Sequence, residues 1–153
     1  MDSSKSYLTA RARNKVPTPT RWLIKHNLIS PDNVVLDYGC GRCANINPPK
    51  WDNYDPHYNP IKLSSKYDRI ICNYVLNTIP SPNERIDILK KIQSHLTSNG
   101  IAYISIRDDS NSLKKGFIKR GTYQDTLQDI NLPMIHKSSL FRIYTLTPNT
   151  KLI

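Results

Sequence analysis

Apolar positions along this chain of 153 residues fall into short, compact runs separated by polar, proline-bearing stretches. Residues 1–17 show no sustained periodicity and read as a flexible basic arm. Thr18 and Pro19 then suit a helix start, with threonine at the N-cap and proline at the first helical position. Trp22, Leu23 and Leu28 face inward on that helix until Ser30, Pro31 and Asp32 break it. Residues 33–37 read as a short strand around the compact apolar run Val34, Val35 and Leu36, the kind that is buried on both faces. Residues 51–55 and 67–75 predict two further strands. Ser81, Pro82 and Glu84 form a capping box, and Ile88, Leu89, Ile92 and Leu96 recur at helical spacing. Asn99 and Gly100 supply the expected stop. Residues 101–106 read as the next strand, and strand–helix–strand is a right-handed crossover. Residues 107–131 are polar and give no assignment. Residues 134–137 and 140–147, joined by Ser138 and Ser139, predict an antiparallel hairpin. The pattern is that of an α/β domain on a mostly parallel sheet with a C-terminal antiparallel hairpin.

Composition removes several classes. Hydrophobic residues make up 38% and charged residues 22%, which suits a folded core and argues against disorder. No apolar run approaches the roughly 18 residues of a membrane span, and the first residues carry no apolar stretch of the secretory kind. Three cysteines do not make a disulfide framework, so a reducing, cytoplasmic setting is expected.

Charge changes the picture. Lys and Arg number 22 against 12 Asp and Glu, a net +10. Such an excess favours polyanionic partners such as nucleic acid. The cations cluster: Lys5, Arg11, Arg13, Lys15, Arg21 and Lys25 face only Asp2 in the first 26 residues. Lys114, Lys115, Lys119 and Arg120 form a second group. Aromatic interleaving is too thin for a stacking platform, and a merely solvated basic surface is the alternative.

The stretch with chemistry follows the first strand. Gly39 and Gly41 stand just past it, where a missing side chain lets a bound cofactor approach the backbone. Asp37 precedes them, and Asp55 lies where the next strand ends, a place for an acid that accepts from ribose hydroxyls. A dinucleotide site also needs a helix N-terminus for its pyrophosphate. Position 44, where a third glycine falls in that fingerprint, holds the tolerated Ala44, but Pro48 and Pro49 end any helix almost at once. S-adenosylmethionine carries no phosphate and needs no such helix.

Val35, Leu36, Asp37, Tyr38, Gly39, Cys40, Gly41 and Arg42 resemble motif I of the class I S-adenosylmethionine-dependent methyltransferases. The chain is more closely similar to methyltransferases associated with DNA phosphorothioation. Their LDYGCGRG loop is matched through Arg42, and their W/YDPYY-P segment by residues 54–60. Their YVLNVI-P-ER block is matched by residues 74–79 with Glu84 and Arg85, and GTFQK by Gly121, Thr122, Tyr123 and Gln124. Together the blocks cover residues 34–124. The resemblance implies a trimmed Rossmann-like methyltransferase domain over residues 18–153, with S-adenosylmethionine as cofactor. It does not deliver the acceptor, for which the basic charge alone suggests a relation to nucleic acid. Asp37, Gly39, Cys40, Gly41, Asp55, Pro56, His57 and Asn73 are the implied cofactor residues, with Asn73 and Tyr74 beside the methyl group as catalytic candidates. Residues that follow strands border the crevice of an open α/β sheet. That assigns Asn77, Arg120, Thr122, Tyr123 and Gln124 to the substrate, with residues 107–124 as a mobile flap near the basic arm. The chain departs from the pattern at Cys43, where the loop's third glycine is replaced. Only residues 61–66 separate the Asp55 segment from the next strand, so one strand and one helix of the full sheet are missing.

Other readings of the same residues stand beside these. Cys40 and Cys43 are formally C-x-x-C, a redox pair or half a zinc site with Cys72 and His57, although no second pair exists and no metal is expected. Asp37 could cap its own loop, His57 could sit on the surface, and Asn73 and Asn77 could cap the turn after the strand. Residues 120–124 could be an ordinary turn. The Asn/Asp-Pro-Pro-Tyr signature of exocyclic-amine methylation is absent, since residues 73–76 read Asn-Tyr-Val-Leu, and so is the Pro-Cys pair of cytosine carbon attack. A methyltransferase-fold module that only binds nucleic acid or a protein, or an enzyme that degrades S-adenosylmethionine without an acceptor, are the alternative functions.

Overall fold

A computed structural model describes residues 6–8, 10, 14–63, 65–108, 117–119, 122–127 and 130–152. The chain runs through α1 (Thr18–Lys25), β1 (Val35–Tyr38), β2 (Asp52–Tyr54), β3 (Tyr67–Asn73), a 3-10 turn (Leu76–Thr78) and α2 (Pro82–Ser94). It continues with β4 (Leu96–Arg107), β5 (Phe117–Lys119), β6 (Thr122–Gln124), β7 (Met134–Lys137) and β8 (Phe141–Leu146). Six strands form one sheet in the order β2-β1-β3-β4-β8-β7, and β5 pairs with β6 separately. The first four run parallel, while β8 is antiparallel to both β4 and β7. This is the expected mostly parallel α/β sheet with its terminal hairpin. The β5–β6 hairpin occupies the stretch the hydrophobic pattern left unassigned.

The apolar runs become the two faces of the sheet. Leu36, Ile70, Cys72, Ala102 and Ile104 pack beneath Leu89 and Ile92 of α2. Val35, Ile71, Tyr103 and Ile143 point the other way, onto Leu23 of α1 and Ile29. Adjacent residues of each strand thus serve opposite layers, as the pleat requires. Among the described residues no helix is long and apolar enough to cross a membrane.

Three expected boundaries moved. Pro17, not Thr18, occupies the N-cap of α1; the Thr18 hydroxyl accepts from Arg21 of its own helix at 3.0 Å. Asn27 adopts a left-handed φ of 59°, which turns the chain before Ser30. Asn99 and Gly100 do not end α2, which stops at Ser94; they lie within β4, which begins at Leu96. A Cβ at Gly100 would sit 2.9 Å from the Tyr67 carbonyl oxygen, so glycine there permits close strand contact beside a register shift between Tyr67 and Arg69. The capping serine formed as expected, with Ser81 Oγ accepting from the Glu84 amide.

β1 is flanked by β2 on one side and β3 on the other, so successive connections leave it in opposite directions. That switch point opens a crevice at the C-terminal ends of the strands.

Candidate cofactor and acceptor cleft

A cleft of about 760 Å³ opens there, between the loops after β1, β2 and β3. Its floor is the turn through Gly39 and Gly41, whose φ angles of 82° and 55° favour glycine. The Gly39 and Cys40 amides donate to the Tyr54 carbonyl at 2.7 and 2.9 Å, tying the turn to the end of β2. Asp55 completes the tie. Its Oδ2 accepts from the Gly41 amide at 2.9 Å, and its Oδ1 accepts from the His57 and Tyr58 amides at 2.8 and 3.0 Å. The acid expected to face ribose therefore organises both loops of the cleft. Oδ1 is thus filled by two amides, while Oδ2 accepts one bond and keeps a second acceptor site for a hydroxyl donor.

Asp37 lies at the back of the cleft with 2% of its surface exposed. Its Oδ2 accepts from Asn47 Nδ2 at 2.7 Å, and the same amide nitrogen donates to Asn53 Oδ1 at 2.7 Å. Asp37 Oδ1 is buried with no hydrogen-bond partner among the described residues. Burial, opposed by the Asn47 bond and reinforced by Asp55, pushes the Asp37 carboxyl up to about 7. A buried acceptor without a donor is costly, and a cationic or N–H-bearing ligand group relieves that cost.

The segment after β3 is less as expected. Asn73, read as a catalytic and cofactor candidate, donates from Nδ2 to Thr20 Oγ1 at 2.7 Å and accepts on Oδ1 from Ser105 Oγ at 2.8 Å. Both ends of its carboxamide are thus held by α1 and β4, an arrangement that braces the strand ends. Tyr74 also lines the cleft and has a left-handed φ of 60°, a strained conformation for a bulky residue. Asn77 is 1% exposed, and its Oδ1 is buried without a partner among the described residues. Its carbonyl accepts from the Asp125 amide at 2.8 Å, which brings the end of β6 and cleft-lining Gln124 beside the turn.

Two of the four sequence blocks meet at this turn. Arg85 Nη1 donates to the Ile79 and Pro80 carbonyls at 2.5 and 3.2 Å. The Tyr123 hydroxyl donates to Asp125 Oδ2 at 2.7 Å and is pushed up to about 12 by burial and the Asp125 charge, with Arg85 opposing. Tyr123 is therefore tied to the turn. Thr122 lies in β6; Arg120 and Gly121 fall outside the described residues, as does most of the expected flap. Behind the turn, buried Arg142 donates to the Thr126 and Leu127 carbonyls, and its Nε lies 3.1 Å from Asp108.

Pro56 and His57 line the cleft, as the sequence suggested. Tyr7 does too, and was missed. Its ring stacks on His57 with centroids 3.8 Å apart, and its carbonyl accepts from the Tyr58 hydroxyl at 3.3 Å. Arg42 lies over the Tyr58 ring and donates to its hydroxyl at 3.3 Å. Part of the arm expected to be flexible is thus docked at the cleft mouth. The one signal available was a lone tyrosine in a polar stretch. Cys40, Cys43 and Cys72 are all buried and in no disulfide, and burial first of all pushes the Cys40 thiol up to about 12 and the Cys72 thiol up as well. The shift disfavours the Cys40 thiolate, the reactive form on which redox chemistry at this position depends.

Sheet order, switch-point crevice and glycine turn together give this chain the fold of the class I S-adenosylmethionine-dependent methyltransferases. It is similar to the 1,6-didemethyltoxoflavin-N1-methyltransferase of Burkholderia thailandensis, solved with bound 1,6-didemethyltoxoflavin and S-adenosylhomocysteine. Identity there is 16% with a TM-score of 0.54, covering 84% of this chain and 76% of that one. It is also similar to magnesium protoporphyrin IX methyltransferase of Synechocystis PCC 6803, solved with S-adenosylmethionine, at 17% identity and a TM-score of 0.50, covering 84% and 75%. Against the CcbJ methyltransferase of Streptomyces caelestis, the chain spans only 59% of that protein, with 74% of its own length covered, 13% identity and a TM-score of 0.47. Residues 53–111 match the family described as Bmt2, 25S rRNA (adenine(2142)-N(1))-methyltransferase. No curated protein sequence matches the chain.

Proposed function

We propose that this protein is an S-adenosylmethionine-dependent methyltransferase acting on a nucleobase within a nucleic acid. The observation that carries the cofactor reading is the orphaned Asp37 Oδ1 at the back of a glycine-turn cleft. A buried carboxylate oxygen without a donor matches the α-ammonium of the cofactor. Asp55 keeps acceptor capacity for ribose hydroxyls, and His57 offers an aromatic face to adenine. The cleft volume lies within the range of about 300–1,000 Å³ usual for such ligands. Two structural neighbours solved with S-adenosylmethionine or S-adenosylhomocysteine support the same reading.

When bound, S-adenosylmethionine supplies a methyl carbon already activated by a positively charged sulfur. The chain's own residues hold and orient. Asp55 fixes the Gly41 turn, Asp37 waits for the ammonium, and Asn73 braces the strand ends from which Tyr74 projects. Positioning is a large term in such chemistry.

For the acceptor, the net charge of +10 favours a polyanion. The partial match to an rRNA adenine methyltransferase family points to a base. Absence of the Asn/Asp-Pro-Pro-Tyr and Pro-Cys signatures argues against exocyclic amines and cytosine carbon. A ring nitrogen remains, and it carries a lone pair and no proton, so no general base is needed. Calorimetry with S-adenosylmethionine and S-adenosylhomocysteine tests the cofactor reading; no heat at millimolar ligand with folded protein would overturn it. Methyl-labelled S-adenosylmethionine incubated with total RNA and genomic DNA tests the acceptor. Binding without label in either polymer would favour the non-catalytic module.

A further inference from the structure

Among the described residues, three buried side-chain oxygens line or back the cleft without a partner: Asp37 Oδ1, Asn47 Oδ1 and Asn77 Oδ1. The first two belong to one linked group at the cofactor end. Asn77 is separate. It stands on the 3-10 turn after β3, beyond strained Tyr74, where the crevice passes from the glycine turn toward Gln124. Its main chain is pinned to the segment after β6 by the Asp125 amide. That turn is itself pinned by Arg85, and the segment is held by Arg142. A carboxamide that only capped the turn would bond to a nearby backbone amide, yet Oδ1 accepts from nothing among the described residues. The fold fixes this acceptor rigidly, buries it and leaves it unanswered.

From this geometry we infer that Asn77 is the residue that reads the acceptor base, by accepting a hydrogen bond from an exocyclic amino group. The inference rests on the nucleobase reading above. Asparagine is well matched to the 6-amino group of adenine, which it pairs with on the N6/N7 edge, leaving N1 on the other side of the amino group without a partner. An orphaned buried oxygen is stabilised by an N–H donor, whereas a base presenting a carbonyl at that point repels it. Discrimination by a buried polar group against a partner lacking the matching atom is large, because the group is then left unpaired. The amino group of the base is thus the recognised atom, and the neighbouring ring nitrogen is left to face the methyl.

The test is a chemical double-mutant cycle read by binding. Fluorescein-labelled dodecamer uridine RNAs carry one central adenosine, or one purine riboside lacking only the 6-amino group. Each is titrated with protein saturated with S-adenosylhomocysteine. Wild-type protein should bind the adenosine strand about tenfold more tightly, and Asn77→Leu should reduce that ratio to within about twofold. Asn77→Leu should also melt no lower than wild type, because an unpaired buried acceptor gives way to an apolar side chain of similar volume. A purely structural asparagine gives the opposite: a lower melting temperature and an unchanged ratio. If the variant does not fold, the wild-type ratio decides alone, and a ratio within about twofold overturns the inference. Heat from S-adenosylhomocysteine binding without adenosine preference would leave the cofactor reading standing and Asn77 excluded.

Discussion

The carboxylate of Asp55 accepts a hydrogen bond from the backbone amide of Gly41 at 2.9 Å. The acid at the end of β2 therefore holds the glycine turn after β1, two elements that meet only in the folded sheet. Asp55→Ala should weaken S-adenosylmethionine binding by about 1–3 kcal/mol, since three backbone amides lose a charged acceptor as well as the ligand losing a contact. Asp55→Asn should recover only part, because its amide end donates and cannot accept from a backbone N–H. Calorimetry on both variants checks this; unchanged affinity in Asp55→Ala would remove the residue from the site.

Asp37 gives a pH signature. Its carboxyl is raised from 3.8 to about 7 by burial, so the folded chain holds a proton that the unfolded chain has released between those values. Stability from this group is full below the unfolded value and is lost as pH rises toward and through 7. Asp37→Asn should melt higher than wild type at pH 8 and lose that slope in a thermal series. Cofactor affinity should run the other way, rising with pH as the carboxylate forms, and the variant should bind more weakly at every pH.

Tyr7→Ala removes the ring stacked on His57. An aromatic pair of this kind contributes about 0.5–1.5 kcal/mol, so S-adenosylmethionine affinity should fall by up to about tenfold. The melting temperature should hardly move, as Tyr7 lies outside both core clusters. A stability loss without an affinity loss would make the contact a structural one only.

Gly39→Ala meets two obstacles. The new Cβ would sit 2.5 Å from Val75 Cγ2, and φ is 82°. Strain of this kind costs on the order of 1–3 kcal/mol, and the variant should unfold earlier in urea by that amount. It should also lose cofactor binding, because the turn must shift to admit the side chain.

Legibility followed the range of the interactions. Strands β1 and β3, the start of helix α2 and the terminal hairpin are encoded by apolar runs and local caps, and these formed close to where the pattern put them, while the end of α2 did not. Gly39, Gly41 and Asp55 are local too, a turn and a strand end. What escaped needed contacts distant in sequence. Gly100 looks like a helix stop until the Tyr67 carbonyl beside it is seen. Asn73 looks free until Thr20 and Ser105 are placed on either side. Tyr7 acquires a role only because His57, fifty residues away, offers a ring. Composition carries no trace of such pairings.

β2 is three residues long and has a neighbour on one side only, so it forms the free margin of the sheet while carrying the chain into Asp55. Margins of this kind open locally at far lower free energy than the strands within. Amides of β2 and the following turn should therefore exchange with deuterated solvent well before those of β3 and β4. Ligand that binds only the closed form must slow them in proportion to its occupancy. The protein's grip on its cofactor is in this sense also a local folding reaction, completed at the edge of the sheet.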